Sequence, residues 1–371
     1  MKQHKISAVF YLNDCKETMQ PLTDHRPIAA LPFNGRYRIV DFLLSTINYA
    51  NIESVAIFIS GSGRSIYDHV RSAEEWDLNS NIRGGLFTFS QQNWKQEFHK
   101  HVDTDKDFYE DLRIFLHKSY DEYIVVMSGE VIHTLDIKDL ANKHVAMGGD
   151  ITLPYSIVDT KHEGFVLEGD NIVALDDSVG YKPMNMDIYF MHKDILTEIL
   201  DKASADKVTL PINETILRYL PEYNLKAYEY NGFARKVCDT QAFFDANMDV
   251  LNQDNYELLF NSEVPIITRA RSGPPAYYGA HANVSNAQLA TSSKVHGKVE
   301  NTIIFRKVNV DQDSVIKNSI IMTGAKIGKN THLEYVLLDK DVTIGDNVTL
   351  KGSKGHVLVV PKGKVIKSGD V

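Results

Sequence analysis

Short apolar runs alternate with amphipathic stretches through the first two-thirds of the chain. Ile6 to Leu12, Ser54 to Ile59, Tyr123 to Met127 and Asp187 to Met191 are apolar segments of strand length, the pattern of strands buried on both faces. Asp41 to Ala50, Ser65 to Glu75, Lys106 to Lys118, Ile137 to His144 and Lys193 to Ala203 carry apolar residues at helical spacing. Strands alternating with helices predict βαβ units around a largely parallel sheet, a Rossmann-like α/β domain. Ligands of such sheets sit at the carboxyl ends of the strands, so the loops after Leu12 and after Met127 are the expected places for a site.

One more helix is predicted at Asp239 to Leu251, and then the texture changes. From about Pro265 helical spacing disappears and branched apolar residues return every six positions: Val310, Ile316 and Met322; Ile321, Ile327 and Leu333; Leu338, Ile344 and Leu350. The runs are out of phase by single residues, as loops interrupting the coils would produce. A six-residue period fits a parallel β-helix, each flat face using one hexad, and Gly directly after the inward Ile in IGKNT and IGDNV favours it over an antiparallel sandwich. Open ends and flat faces make oligomer contacts an expectation for such a domain. The predicted division is residues 1–245 for the α/β domain, 246–264 for a linking helix and loop, and 265–371 for the β-helix.

A length of 371 residues agrees with two cores, and 43% hydrophobic with 24% charged residues is ordinary globular composition. A net charge of -9 argues against a nucleic-acid groove as the main surface but not against a local anion site. The two cysteines, Cys15 and Cys238, form no disulfide scaffold or cysteine zinc site. The first residues lack the pattern of a signal peptide and no run approaches the length of a membrane span, so a cytoplasmic chain is expected.

Pro21 to Ile52, PLTDHRPIAALPFNGRYRIVDFLLSTINYANI, resembles the start of glucose-1-phosphate adenylyltransferases, the ADP-glucose pyrophosphorylases of glycogen synthesis. Three later segments resemble the same family in order: SGSGRSIYDHVRSAEEWDL its S-L-N-R-H-I helix, YEYNGFARKVCDTQAFFDANMDVL its G-Y-W-R-D-V-G-T segment with the following A-N-M-D-L-L, and SGPPAYY its P-P-A-K-F lead-in to a left-handed β-helix. The resemblance implies a nucleotidyltransferase domain followed by a left-handed parallel β-helix. The family's chemistry joins a sugar phosphate to the α-phosphate of ATP and releases pyrophosphate. That needs a backbone cradle for the triphosphate, cations for the developing charge and carboxylates for Mg²⁺.

Position by position, those groups are replaced. Where the family has its Gly-rich G-G-x-G-x-R loop, this chain has Asn13, Asp14, Cys15, Lys16, Glu17 and Thr18. No glycine remains to let the backbone approach phosphates, and two carboxylates are added. Against R-A-K-P stand Arg26, Pro27, Ile28 and Ala29, so the lysine is Ile28. Against G-D-H-I-Y stand Gly129, Glu130, Val131, Ile132 and His133; Glu130 keeps the charge of a metal carboxylate with a longer arm. The second metal carboxylate is Lys236, which repels Mg²⁺. The G-T-A-D-A segment has no counterpart, DTDKDFYEDL being the nearest text. Nor has E-K-P, where DDSVGYKP makes Lys182 read as an ordinary loop lysine. Losing one preorganised electrostatic group costs about 10²–10³ in rate, so losses together should abolish useful turnover.

NGRYRIVDF, Asn34 to Phe42, is nearly intact against the family's G-G-K-Y-R-I-I-D-F. By resemblance, Arg36 and Arg38 are effector-binding candidates for a phosphorylated sugar, guanidinium forks matching phosphate oxygens. Ordinary ion pairing, for example of Arg38 with Asp41, is the equal alternative. His281, His296, His332 and His356 in or near the β-helix read as exposed loop imidazoles.

The resemblance points to a non-catalytic, GlgD-type regulatory subunit that joins a catalytic homologue, in a heterotetramer, and activates it. No metal or other cofactor is expected for this chain, Mg²⁺ belonging to the catalytic partner's site; nucleic acid and membrane are not expected partners, and a homo-oligomer is the alternative for the chain alone. The first alternative is a weakly active nucleotidyltransferase using Glu130 and Lys16. The second, a stand-alone hexapeptide acyltransferase, leaves the large N-terminal domain without a use.

Overall fold

A computed structural model describes residues 4–12, 18–59, 63–79, 84–90 and 107–370. The chain divides into two compact units: Met1–Asp14 with Val40–Ala234 and Ser262–Ile267, and Cys15–Ile39 with Arg235–Asn261 and Thr268–Val371.

The first unit is built on one mixed sheet. Strand Ile6–Leu12 is buried along its whole length, which its unbroken apolar run requires. It pairs in parallel with Ser54–Ile59 on one side and Tyr123–Ser128 on the other, and Gly85–Ser90 extends the parallel part beyond Ser54–Ile59. Strand Ile188–His192 enters antiparallel between Tyr123–Ser128 and Ile151–Thr160. Helices Ile39–Ala50, Arg64–Val70, Glu110–Lys118, Ile137–Met147 and Lys193–Ala205 carry the expected amphipathic segments.

Local chemistry sets the helix ends. Asp136 caps Ile137–Met147, its carboxylate accepting from the N–H groups of Lys138 and Asp139, and Gly148 in the left-handed region ends it. The segment expected as one helix over Ser65 to Glu75 breaks after Val70. Arg71 and Ala73 take positive φ, and a short 3₁₀ turn, Glu74–Trp76, follows. The break lets Trp76 sink into the core with its indole N–H donating to the Ile267 carbonyl at 3.2 Å. Asp187, expected inside a strand, stands just before one at φ 51°. Its carbonyl accepts from the Tyr11 hydroxyl at 3.1 Å and the Ser128 N–H at 3.1 Å.

In the second unit helix Thr240–Asp249 is capped by Asp239, and Gln253–Phe260 by Asn252. The C-terminal part is a left-handed parallel β-helix, and the phase slip of the sequence resolves into a single rule. Its buried inward residues run Val310, Ile316, Ile321, Ile327, Leu333, Leu338, Ile344 and Leu350, in steps of six, five and six. One coil is 17 residues, not three full hexads, as shown by stacked side chains such as Asn301 on Asn318. The slip therefore comes from one shortened side in each coil rather than from interrupting loops. Each five-residue side turns on a residue at positive φ: Asn286, Asn301, Asn318 and Tyr335. The first three are asparagines, which tolerate the left-handed region, and their amides bond one to the next at 2.8 and 2.6 Å. Only the last coil is lengthened, between Lys351 and Leu358, where Ser353 and His356 bridge. Among the described residues, no helix is long and apolar enough to cross a membrane.

Candidate functional site

In the first unit the loop after Ser128 leaves the carboxyl end of the central strand. Gly129 N–H donates to the Tyr11 carbonyl at 3.2 Å, and Glu130 N–H to the Ser128 hydroxyl at 3.1 Å. Glu130 is half-buried. Burial first, and then Asp187, Tyr189 and Glu130, push the buried Tyr11 hydroxyl well above the ordinary phenol range. Burial and then Asp187 and Glu163 do the same to Tyr189. These strand ends thus gather carboxylates. His133, in the Gly129 to His133 segment, is fully buried; desolvation pushes its imidazole down to about 3, and Nδ1 accepts from Leu135 N–H at 3.2 Å. It is a neutral acceptor and cannot lend positive charge to a phosphate. Among the described residues, no group of three His, Cys, Asp or Glu side chains is disposed to hold a metal.

Asn13, Asp14, Cys15 and Lys16 lie outside the described residues. Thr18, at the end of that loop, donates its hydroxyl to the Cys238 carbonyl at 2.7 Å, and its own carbonyl accepts from Thr240 N–H at 3.3 Å. Cys238 is half-buried. Ile28 opens the short 3₁₀ turn Ile28–Ala30, all three residues of which are buried. Lys236 is half-buried in the two-residue strand Arg235–Lys236, beside Arg235, which pairs with Asp249 at 2.6 Å.

The segment Asn34 to Arg38 folds back as a small hairpin, Phe33 opposite Tyr37 and Pro32 opposite Arg38. Asn34 and Gly35 both sit at positive φ, which is why Asn-Gly suits the turn. Arg36 is exposed with its guanidinium 5.8 Å from the Tyr37 ring, and Tyr37 stacks on Phe260. Arg38 is half-buried and acts on Lys340 of the β-helix, in the same unit. Burial first, then Arg26 and Arg38, push the Lys340 ammonium down to about 7; Asp339 opposes them and Lys362 adds to them. Arg26 is buried and bonds Asp339 at 2.7 Å, while its Nε is buried without a protein acceptor. Arg26, Lys340 and Lys362 are members of this cluster that the amino-acid pattern does not bring together, because Arg26 lies more than 300 residues from the β-helix members: Arg26 and Asp339 are separated by 313 positions. Asp41, the alternative partner for Arg38, is fully buried and holds His69 Nε2 at 2.5 Å.

Two minor expectations change. Lys182 is no loop lysine: it lies within strand Gly180–Asn185, buried, its ammonium held by the carbonyl and carboxylate of Asp176. An aliphatic stem beside Gly164 lets it bury its length. Of the four histidines near the β-helix, His281, His332 and His356 are exposed, but His332 stands in a strand and His296 is half-buried against Tyr277, ring centres 5.7 Å apart.

Fold and site together define a nucleotidyltransferase body carrying a hexapeptide β-helix. The nucleotidyl transferase family matches residues 17–172, and the GlmU-like C-terminal hexapeptide family matches 276–353. The chain is 32% identical to the glycogen biosynthesis protein GlgD of Geobacillus stearothermophilus over 97% of this chain and 96% of that protein. With the protein of the same name from Bacillus subtilis (strain 168) it shares 30% identity over 94% of each chain. It belongs to the family of these GlgD proteins. A glucose-1-phosphate adenylyltransferase of Bacillus mycoides (strain KBAB4) is 25% identical over 98% of this chain and all of its own length.

Proposed function

We propose that this chain is a regulatory, catalytically impaired subunit of glucose-1-phosphate adenylyltransferase in glycogen biosynthesis. It associates with a catalytic homologue and raises that partner's conversion of ATP and glucose 1-phosphate into ADP-glucose and pyrophosphate. The carrying observation is Ile28. Where the family's chemistry calls for a phosphate-binding lysine, this chain has an apolar side chain only 1% exposed, which supplies no charge to a phosphate. Lys236 at the metal position supports the same reading. Mg²⁺ is needed only at the catalytic partner's site.

Arg36 and Arg38 are assigned to a phosphorylated sugar effector. Support comes from the cluster in which Arg38 sits: burial first, and then the nearby cations Arg26, Arg38 and Lys362, hold the Lys340 amine near neutrality, with Asp339 as the counterweight. An added dianion relieves that repulsion, which makes such a cluster an anion receptor.

The test is an ADP-glucose assay on the chain alone, on a catalytic homologue from the same genome, and on mixtures. The reading expects no turnover alone and increased turnover on mixing. Steady ADP-glucose formation by the isolated chain, abolished by Glu130→Ala, would instead establish the weakly active enzyme.

A further inference from the structure

A cavity of about 770 Å³ opens in the first unit between helix Arg64–Val70 and strand Gly85–Ser90. Its size is that of a small-molecule pocket. None of the residues assigned above to catalysis, metal or effector lines it, and Arg36 and Arg38 belong to the other unit. Its floor is apolar: Ile66, Val70 and Leu78 are buried, and Leu86 and Phe87 are half-buried. Phe87 stands edge-on to Phe115, ring centres 5.7 Å apart. Gly63 lets the Tyr67 ring lie back as a wall, since a Cβ there would stand 2.8 Å from that ring.

The rim is polar: Tyr67, Arg71, Ser72, Asn79 and Thr88, all exposed. None of these five side chains hydrogen-bonds or ion-pairs with another described residue. No carboxylate is among the described residues that line the cavity, and the nearby Asp68 is turned to Arg64 at 3.6 Å. Arg71 is also where the backbone is strained, at φ 50° and ψ -118°, a conformation that is costly for any side chain but not for glycine. Glycine would break the helix there at no steric cost. What arginine adds is a guanidinium at the mouth of the cavity, and strain kept at such a place points to use. We propose that this cavity binds a small carboxylic acid with an apolar body. The body lies on Ile66, Val70, Leu86 and Phe87, and the carboxylate takes the planar fork of Arg71. One guanidinium balances the single charge of a carboxylate and leaves a phosphate dianion half compensated.

The test is a ligand-observed NMR titration of the full-length chain with phenylacetate as the probe, beside its uncharged amide, phenylacetamide, and inorganic phosphate. The cavity variants are Arg71→Gln, Arg71→Gly and Thr88→Trp, the last laying a bulky ring over the cavity from an exposed position. Arg38→Ala is the control for the cation cluster of the other unit, and thermal unfolding of each variant checks that the fold is kept. The expected result is saturable binding of phenylacetate to the wild-type chain, weakened on the order of tenfold or more in all three cavity variants and unchanged in Arg38→Ala. The amide binds more weakly by a similar factor, and phosphate does not displace the probe. Arg71→Gly is expected to raise the unfolding temperature while losing the probe, because glycine relieves the strained conformation; an arginine kept for the fold would not show that opposition. No binding to the wild-type chain up to about 10 mM probe overturns the site, as does binding that survives both Arg71→Gln and Thr88→Trp. Equal binding of the amide, or displacement by phosphate, overturns the carboxylic acid as the ligand.

Discussion

The side-chain oxygen of Asn247 accepts the backbone N–H of Asn34 at 2.9 Å, both residues fully buried. The Asn34 carbonyl in turn accepts the Gln288 amide at 3.0 Å, so a helix and the β-helix together hold the Asn34 to Arg38 hairpin from which the two candidate effector arginines project. Asn247→Ala strands a buried donor and is expected to cost about 1–3 kcal/mol. Thermal unfolding measures the cost. The Asn34 side chain, by contrast, is buried with no protein partner for either polar atom and sits at φ 46°. Asn34→Gly is therefore expected to change stability by less than about 1 kcal/mol, since glycine takes that conformation freely.

The fourth turn of the shortened β-helix side holds Tyr335 at φ 51°, where the three preceding coils place asparagine. Tyr335→Asn removes the conformational cost of a bulky residue in the left-handed region and is expected to stabilise by about 1 kcal/mol. Asn318→Ala should destabilise by a similar amount, losing both the tolerated conformation and its place in the amide ladder. Denaturant midpoints at constant m-value provide the comparison.

His144 links helix Ile137–Met147 to strand Ile151–Thr160 through its bond to the Thr152 hydroxyl at 2.8 Å, and burial pushes its imidazole down to about 4. The unfolded chain takes up a proton near pH 6.5 that the folded chain refuses until about pH 4. Between those values the unfolded state binds more protons, so stability falls as pH falls, by on the order of 3 kcal/mol at most for this group. A His144→Gln variant should show a flatter loss across that window in unfolding measured from pH 7 to pH 4.

The cation cluster predicts a pH dependence of anion binding. With its amine near 7, Lys340 is charged below neutrality and largely uncharged above it. Sulfate keeps its own charge over this range. Its affinity for the chain should weaken as pH rises from about 6 to 9, with a proton taken up on binding near neutrality. Arg38→Ala should weaken binding on the order of tenfold by removing a charged donor, and Lys340→Met should flatten the pH dependence. Equal sulfate affinity at both ends of the range in the wild-type chain excludes Lys340 from the site.

The sequence by itself determined the strands Ile6–Leu12 and Ser54–Ile59, the amphipathic helices and the change of period near Pro265. These are properties of local burial, and burial leaves its period in the order of apolar residues. Only the tertiary structure decided that residues 15–39 group with the β-helix rather than with the strand preceding them. It alone gathered Arg26, Arg38 and Asp339 about Lys340, buried Lys182 against Asp176, and broke the helix at Arg71 to seat Trp76. A periodic pattern records that a face is covered and not which distant segment covers it. Long polar side chains add no period at all, so a cluster gathered from opposite ends of the chain becomes visible only once the coils have stacked.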